Sequence, residues 1–368
     1  MPISPSYPVY DLRSDTVTKP TPEMFVEMSQ ADCGDDVYGE DPEVVRLEKY
    51  MAELTGKEAA LFCSSGTMSN QLGLRALLTC PPHSVLSDAR AHVYKYECGG
   101  IAYHSQANIT PVAASNGRYL TMEDVRDAVV EDDPITMVSS PTRVISLENT
   151  HNGMYFPVEE IRRISQFARS KGLAMHLDGA RLWNASVATE TPMSEYGKLF
   201  DTLSICLSKG VGAPIGSILV ADAATIAKAR RLRKLFGGGW RQAGMLAVAA
   251  QHAIDRHVIR MQGDHADAAW LSTQLEAASL RILLPVQTNM VFFGVEDALD
   301  MRRVARLCEA QGVRFMALNQ SSARLVLHFQ VGRDGAERAA AVITEVVEGL
   351  RQLKDQPTED VPTTGYSL

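Results

Sequence analysis

The stretches that decide the fold are His-Leu-Asp-Gly-Ala-Arg at 176–181 and Leu-Ser-Lys-Gly at 207–210. Each contains or follows a short apolar run typical of a buried strand, so Asp178 and Lys209 are expected at strand ends. A lysine can form an imine with an aldehyde, and a buried aspartate can keep a pyridine nitrogen protonated. Together they indicate pyridoxal phosphate (PLP), although a surface lysine and a strand-end aspartate are common when taken singly.

A turn of small polar residues, Ser64-Ser-Gly-Thr67, separates the apolar run 59–63 from a helix-like stretch at 68–78. Small residues leave the backbone N–H groups of a helix N-terminus accessible, and such groups bind phosphate. An ordinary helix cap is the alternative interpretation. The polar stretches 11–18 and 34–42 show neither helical nor strand periodicity, which is typical of loops that are functional or disordered.

Bulk properties exclude several classes of protein. The net charge of −8 argues against nucleic acid as a partner, and the one short basic cluster, at 228–234, has helical spacing. No apolar run approaches the roughly 18 residues that span a bilayer, and no secretory signal is recognised. The six cysteines are scattered without a CxxC pair, so reduced thiols and a cytoplasmic location are expected. The nine histidines lack paired metal spacing, so no catalytic metal is predicted.

Apolar runs alternate with helical patterns along most of the chain. A helix is predicted to end at Gly56, and another is marked by Ile161, Ile164 and Ala168. Strands are predicted at 59–63, 84–86, 137–139, 144–147, 173–177 and 203–206, with an antiparallel strand at 216–220. This alternation predicts an α/β fold with a mostly parallel sheet covered on both faces, in which ligands bind at the carboxyl ends of strands.

The pattern changes near Gly263, where a long helix precedes short strands at 282–284, 290–293 and 325–329 and a helix at 301–311. We therefore predict four segments. Residues 1–30 contribute to the active site, 31–262 form a large PLP-binding domain, and 263–353 form a smaller α+β domain. Residues 354–368 lack apolar periodicity and are expected to be a loose tail.

With these residues assembled, the chain resembles the threonine aldolases, which are PLP-dependent enzymes of fold type I (the aspartate-aminotransferase fold). The likeness runs from Asp11 to about Arg351. The matching stretches include DLRSDTVT, GDDVYGEDP, AHVYKYECGG, SLENTHNG, HLDGAR, ICLSKGVGAPIGS, RKLFGGGWRQAG and RLVLH. The resemblance implies a PLP enzyme that acts on a small amino-acid substrate.

The resemblance also implies roles for individual residues. Lys209 is the imine lysine, Asp178 the pyridinium partner, and His92 stacks on the cofactor ring and can relay a proton. The implied cofactor-binding residues are Ser65, Gly66, Thr67, His92, Asp178, Arg181, Ser208, Lys209, Lys234 and Arg241. The implied substrate-binding residues are Ser14, Tyr38, Tyr96, Val138, Arg181 and Arg324.

Within these sets, Ser14, Arg181 and Arg324 are expected to bind the substrate carboxylate, for which the planar guanidinium is suited. Lys234 and Arg241 match residues that a neighbouring subunit supplies to the phosphate, and Tyr38 and Tyr96 match aromatic residues of a shared pocket. A homodimer or homotetramer with shared active sites is therefore expected.

One position departs from the family pattern. Relatives carry a second histidine shortly before the strand that leads into Ser146-Leu-Glu-Asn-Thr150, and the alignment places Val138 there. Val138 is therefore predicted to lie in the substrate pocket near the β-carbon. A valine at that point cannot accept or relay the proton of a β-hydroxyl group.

Two reactions follow from these residues. The first is cleavage of L-threonine or L-allo-threonine to glycine and acetaldehyde, which the density of matching motifs favours. The second is an amino-acid racemase like the fungal alanine racemases of this scaffold, which Val138 favours because an apolar wall suits a methyl side chain. A third possibility is an inactive PLP-fold protein used for binding, against which the intact Lys209 and Asp178 argue.

Overall fold

The structure is a computed structural model that describes residues 9–135, 137–295 and 299–353. The predicted tail at 354–368 lies outside the described residues. The helices are α1 Pro22–Gln30, α2 Pro42–Thr55, α3 Gly66–Leu77, α4 His92–Lys95, α5 Gly100–Ser105, α6 Met122–Ala128, α7 Val158–Ser170, α8 Leu182–Thr189, α9 Met193–Leu199, α10 Ala223–Leu235, α11 Gly244–His257, α12 Met261–Ala277, α13 Met301–Ala310 and α14 Gly332–Leu353.

The strands are β1 Tyr10–Asp11, β2 Ala59–Cys63, β3 Ser84–Asp88, β4 Asn108–Val112, β5 Thr142–Glu148, β6 Ala174–Gly179, β7 Thr202–Cys206, β8 Ser217–Ala221, β9 Arg281–Ile282, β10 Met290–Gly294, β11 Val313–Arg314, β12 Met316–Ala317 and β13 Ser322–Val326. Short 3-10 helices cover Asp15–Val17 and Val258–Arg260. Among the helices that the structure describes, none is both long and apolar enough to cross a membrane.

Helix α2 shows how local sequence sets an element. Asp41 caps its N-terminus by accepting hydrogen bonds from the N–H groups of Glu43 and Val44. Pro42 occupies the first turn, where its missing N–H has no cost. Gly56 ends the helix in the left-handed conformation at φ 65°, as the sequence predicted.

The large sheet has seven strands in the order β2-β8-β7-β6-β5-β3-β4. Strands β3 to β7 run parallel, and β8 is antiparallel to both β7 and β2, so β2 points the same way as β7. Neighbouring residues of β2 enter different cores, because Phe62 packs into one hydrophobic cluster and Leu61 into another. Helices therefore cover both faces, and the α/β fold class is confirmed.

A second core lies beyond the large sheet. The order β12-β13-β10-β9 forms an antiparallel sheet whose buried residues include Phe293 and Leu325. Strand β1 pairs with β11, and Leu12 packs into this second core, so the N-terminal segment joins the C-terminal part of the chain. Helix α12 begins at Met261 in the first core and continues to Ala268 in the second. The exact domain bounds stay a prediction.

Most predicted strands form, with several differences. The strand predicted at 282–284 covers only Arg281–Ile282. The stretch 137–139 is not a strand, and its residues are exposed. The described structure instead contains β4, whose mixed sequence Asn-Ile-Thr-Pro-Val at the sheet edge gave no apolar run. The strand predicted at 325–329 begins earlier, at Ser322, and ends at Val326, because the chain turns at His328 to enter α14.

Candidate active site

Several ionisable residues, of which Asp178, Lys209 and His92 were predicted, meet at one edge of the large sheet. Asp88, Glu148 and Asp178 lie at or near the carboxyl ends of β3, β5 and β6. Lys209 follows β7, and His92 begins α4 just after β3. Parallel strands bring these ends together by topology, which is the usual location of ligands in such sheets.

The turn at Ser65, Gly66 and Thr67 forms the N-terminus of α3. The Ser65 hydroxyl accepts a hydrogen bond from the N–H of Met68 at 3.1 Å. Within the described part of the chain, the N–H groups of Gly66 and Thr67 are not hydrogen-bonded. A Cβ on Gly66 would lie 2.7 Å from the Cys206 sulfur, so only glycine permits this approach of the helix to β7. The turn thus offers unpaired donors to an anion.

Asp178 is buried among other carboxylates. It is 2% exposed, and it accepts hydrogen bonds from Asn70 Nδ2 at 3.0 Å and from the N–H of Ala180 at 3.1 Å. Burial, followed by the nearby negative charges of Glu148 and Glu97, raises the pKa of Asp178 to about 6. A cationic partner at this position would favour its ionised form.

Lys209 lies in a fixed loop beside Asp178. The N–H groups of Leu207 and Ser208 both donate to the Gly216 carbonyl, and the Lys209 carbonyl accepts from Gly212 at 2.7 Å. Lys209 and Ser208 are both half-buried. The positive charge of Lys209 opposes the rise in the pKa of Asp178. Its amine makes no hydrogen bond or ion pair with the described residues, so it is available for chemistry.

His92 lies at the opening of the site with 38% of its side chain exposed. Its Nδ1 is 2.9 Å from Glu97 Oε1, and its backbone N–H donates to Glu148 Oε2 at 2.7 Å. The hydrogen bond to Glu97 raises the pKa of His92, and burial opposes that rise. The Tyr96 ring lies 5.7 Å from the His92 ring between centroids, which brings these two predicted residues together.

Arg181 forms a buried ion pair that the sequence did not predict. Its Nε and Nη2 donate to the two carboxylate oxygens of Asp15, at 2.8 and 2.6 Å. Burial by itself would raise the pKa of Asp15. The charge and hydrogen bonds of Arg181 outweigh the effect of burial, so the pKa of Asp15 lies below its ordinary value. Ser14 caps the 3-10 helix that carries Asp15, since its hydroxyl accepts from the N–H of Thr16.

Arg324 extends from β13 towards the same region and contributes an uncompensated charge. Its Nη2 donates to the Arg13 carbonyl at 3.1 Å, and its buried Nε has no partner among the described residues. Burial, and then the positive charge of Arg181, lowers the pKa of Arg324. Two neighbouring guanidinium groups, only one of them paired with a carboxylate, are suited to an anionic ligand.

Other predicted residues lie on the surface of this chain. Tyr38 is 74% and Tyr96 is 69% exposed, and Lys234 and Arg241 are exposed as well. Arg241 donates to Asp35 at 2.8 Å and lies 6.0 Å from the centre of the Tyr38 ring. Tyr38 and Arg241 therefore form a cluster of their own.

Within one copy of the chain, Val138 does not lie in the predicted substrate pocket. Val138 is 85% exposed and precedes β5, so it lies at the amino edge of the sheet, opposite the site. It lines a groove with Pro82 and Gln106, which precede β3 and β4. Burial and pairing fix the register of strands but not of this exposed loop, so spacing along the sequence does not locate Val138.

His92, Glu97 and Asp178 each offer an atom within 4.8 Å of the others, a grouping with the donor types of a metal site. Hydrogen bonds from amide and imidazole groups already occupy the two carboxylates. The prediction of no catalytic metal stays a prediction.

Four residues of the site went unrecognised in the sequence, namely Asp15, Asn70, Glu97 and Glu148. Asp15, Glu97 and Glu148 stand inside DLRSDTVT, AHVYKYECGG and SLENTHNG, so their place in those stretches was the available signal. Several of their partners are far along the chain, as Asp15 with Arg181 and Asn70 with Asp178 show, and spacing does not reveal such pairs.

Comparisons with known proteins agree with this arrangement. A family model described as beta-eliminating lyase matches residues 11–298. The low-specificity L-threonine aldolase of Candida albicans is 46% identical over 341 residues, which cover 92% of this chain and 90% of that protein. The low-specificity enzyme of Escherichia coli K12 is 40% identical over 332 residues, covering 90% of this chain and 97% of that protein.

Solved structures share the fold. Leishmania major threonine aldolase superposes with a TM-score of 0.79 at 22% identity and covers 92% of this chain and 99% of its own. A structure of SPT with PLP superposes with a TM-score of 0.74 at 15% identity, covering 93% and 88%. These likenesses show fold type I of the PLP-dependent enzymes. By its sequence, the chain belongs to the beta-eliminating lyase family, within the group of the low-specificity L-threonine aldolases.

Proposed function

We propose that this protein is a PLP-dependent L-threonine aldolase that cleaves L-threonine or L-allo-threonine to glycine and acetaldehyde. The observation that carries the proposal is the meeting of Lys209, Asp178 and the α3 N-terminus at one sheet edge. It occurs in a chain 40–46% identical to enzymes named low-specificity L-threonine aldolases.

The residues at this edge fit PLP. The unpaired N–H groups of Gly66 and Thr67 suit a phosphate, with the Ser65 side chain beside them, and Ser208 next to Lys209 would add a hydroxyl. Asp178, held among negative charges, suits a protonated ring nitrogen. The free amine of Lys209 suits an aldehyde carbon. When bound, PLP supplies an electron-withdrawing ring that stabilises negative charge at the substrate α-carbon.

Arg324 and Arg181 would bind the substrate carboxylate unequally. Arg181 already uses Nε and Nη2 on Asp15, which leaves Nη1 for a ligand. Arg324 has no carboxylate partner among the described residues, so it is the stronger candidate for a bidentate contact. Ser14, beside Asp15, would contribute a hydroxyl. With its carboxylate held by this pair, the substrate would present its β-hydroxyl group to His92.

His92 would act as the base that takes the β-hydroxyl proton before the carbon–carbon bond breaks. An imidazole with one free nitrogen suits this role near neutral pH. The half-exposed position of His92 also allows a water molecule to reach the site and return a proton to the α-carbon. Tyr96 borders the same opening.

A second copy of the chain would complete the site. Lys234, Arg241 and Tyr38 are exposed, and among the described residues none of them is hydrogen-bonded or ion-paired to the Lys209 loop, as expected if they serve the neighbouring subunit. Three glycines, Gly237, Gly238 and Gly239, lie between Lys234 and Arg241 in the sequence. Because glycine has no side chain, this segment allows a close approach by a second copy. Light scattering of the active protein would give at least a dimer, and an active monomer would contradict this assignment.

The racemase hypothesis loses the observation that favoured it. It depended on Val138 as an apolar wall beside the substrate, and Val138 lies at the opposite edge of the sheet. Purified holoenzyme assayed in parallel with L-threonine and L-alanine tests both reactions. Acetaldehyde release without D-alanine supports the aldolase, and D-alanine without acetaldehyde would overturn it.

A further inference from the structure

Glu97 is buried beside His92 and uses both carboxylate oxygens. Its side chain is 0% exposed. Oε1 accepts from Asn70 Nδ2 at 2.8 Å and lies 2.9 Å from His92 Nδ1, while Oε2 accepts from Gln71 Nε2 at 2.5 Å. A carboxylate surrounded by N–H donors acts as an acceptor. His92 Nδ1 must therefore carry the hydrogen of this bond.

The orientation of Asn70 is fixed by the same logic. Its amide nitrogen lies between Glu97 and Asp178, both acceptors, and its Oδ1 lies 3.1 Å from His176 Nε2. The amide cannot be reversed without turning an oxygen towards two carboxylates. His176 Nε2 is then the donor, and its Nδ1 accepts from the Thr202 hydroxyl at 2.8 Å. Burial lowers the pKa of His176 to about 3, consistent with a neutral ring.

We propose that Glu97 is a positioning residue for aldol cleavage, which fixes His92 as the Nδ1–H tautomer and leaves Nε2 as the atom that takes the substrate proton. The proposal rests on the proposed function. A neutral imidazole has one lone pair, and holding Nδ1–H against a buried carboxylate places that lone pair on Nε2. Nε2 of His92 makes no hydrogen bond with the described residues.

Charged groups from several elements face His92. Glu97 precedes α5, Asp178 lies on β6, Glu148 ends β5 and contacts the His92 backbone, and Lys209 follows β7. The carboxylates favour the imidazolium and Lys209 disfavours it. Because the hydrogen bond to Glu97 is the largest influence, its removal would lower the pKa of His92. The base form of His92 would then persist to lower pH.

The kinetic test is Glu97→Gln, which keeps the size of the side chain and removes its charge. We expect kcat to fall about tenfold to a hundredfold, with KM within about threefold, because a misoriented base affects the chemical step. The acid limb of the kcat–pH profile should shift to lower pH, because the pKa of His92 falls when the Glu97 charge is removed. In a His92→Ala background, Glu97→Gln should cause no further loss. Glu58→Gln, which removes the same charge at the opposite sheet edge, is the control.

Two readouts are independent of catalysis. The imidazole ¹⁵N spectrum of histidine-labelled protein, assigned by its difference from His92→Gln, should show Nδ1–H for His92. Exchange of the imidazole C2 proton, followed by mass spectrometry, should give a lower pKa for His92 in Glu97→Gln. A wild-type Nε2–H tautomer would overturn the proposal even if the variant failed to fold, and so would a further rate loss in the His92→Ala background. If the wild type does not cleave threonine, the proposed function is rejected. The spectra would then still decide whether Glu97 fixes the tautomer of His92.

Discussion

Two buried aspartates of the site differ in the charge that surrounds them. Asp15 is fully buried against Arg181, and its pKa lies below the ordinary value. Asp178 is equally buried but stands near Glu97 and Glu148, and its pKa is raised to about 6. The first charge is neutralised within the chain, whereas the second is only partly offset, by Lys209 and His92. Asp15 therefore serves structure and orientation, and Asp178 is suited to a cation that arrives with a ligand.

The largest expected effect concerns Lys209, the cation that the chain itself places near Asp178. Lys209→Ala should reduce turnover by on the order of 10³ or more, because the residue that would attach the cofactor is lost. Borohydride reduction followed by peptide mapping should find PLP on Lys209 in the wild type. Attachment to another lysine would contradict the assignment.

Asp15→Asn tests the aspartate whose charge Arg181 neutralises. Removing one partner of a buried ion pair leaves the Arg181 charge uncompensated, so the free energy of unfolding should fall by about 3–5 kcal/mol. KM for L-threonine should also rise, since Arg181 loses its orientation. Urea denaturation and steady-state kinetics measure these effects. Glu123→Gln, which breaks an exposed pair with Arg163, should change the free energy of unfolding far less. An equal loss in both variants would contradict the distinction.

Asp178→Asn tests the second aspartate of the comparison, whose charge the chain only partly offsets. It should lower kcat by about a hundredfold or more, because an amide does not stabilise a protonated ring nitrogen. PLP binding, measured by equilibrium dialysis, should weaken less than kcat falls. A variant that turns over at the wild-type rate would show that Asp178 has no role in the reaction.

The same contrast predicts a pH dependence of stability in protein prepared without PLP. A raised pKa means that the folded state binds the Asp178 proton more tightly, so this stabilisation is complete below pH 3.8 and is lost as pH rises through about 6. The loss amounts to about 3 kcal/mol. Asp15, with its lowered pKa, acts oppositely and stabilises above pH 3.8. In Asp178→Asn, the decline in unfolding free energy between about pH 4 and 6 should disappear, and an unchanged decline would assign it elsewhere.

The smallest expected effect is at Val138. Val138→His adds an exposed histidine at the amino edge of the sheet, so kcat/KM for L-threonine should stay within about twofold and D-alanine should not form. A large gain in cleavage would mean that this loop enters an active site after all, for example that of a second copy.

The site was predictable to the extent that single residues carry its chemistry. Lys209, Asp178, Gly66 and His92 were recognised, since each stands in a distinctive stretch and a parallel sheet gathers strand ends. The neighbouring residues that hydrogen-bond to these groups and shift their pKa values were not recognised. Asn70 looks like an ordinary helix residue in the sequence, yet it joins Glu97 and Asp178.

The sequence by itself determined the alternation of strands and helices, the lysine–aspartate pair and the family, because periodicity and local motifs are properties of neighbouring residues. Only the tertiary structure decided that Asp15 neutralises Arg181, that Glu97 orients His92, and that Val138 lies away from the site. These facts depend on which distant segments meet and on how deeply each charge is buried. Electrostatic energies vary with distance and with exposure to water, and a linear sequence specifies neither.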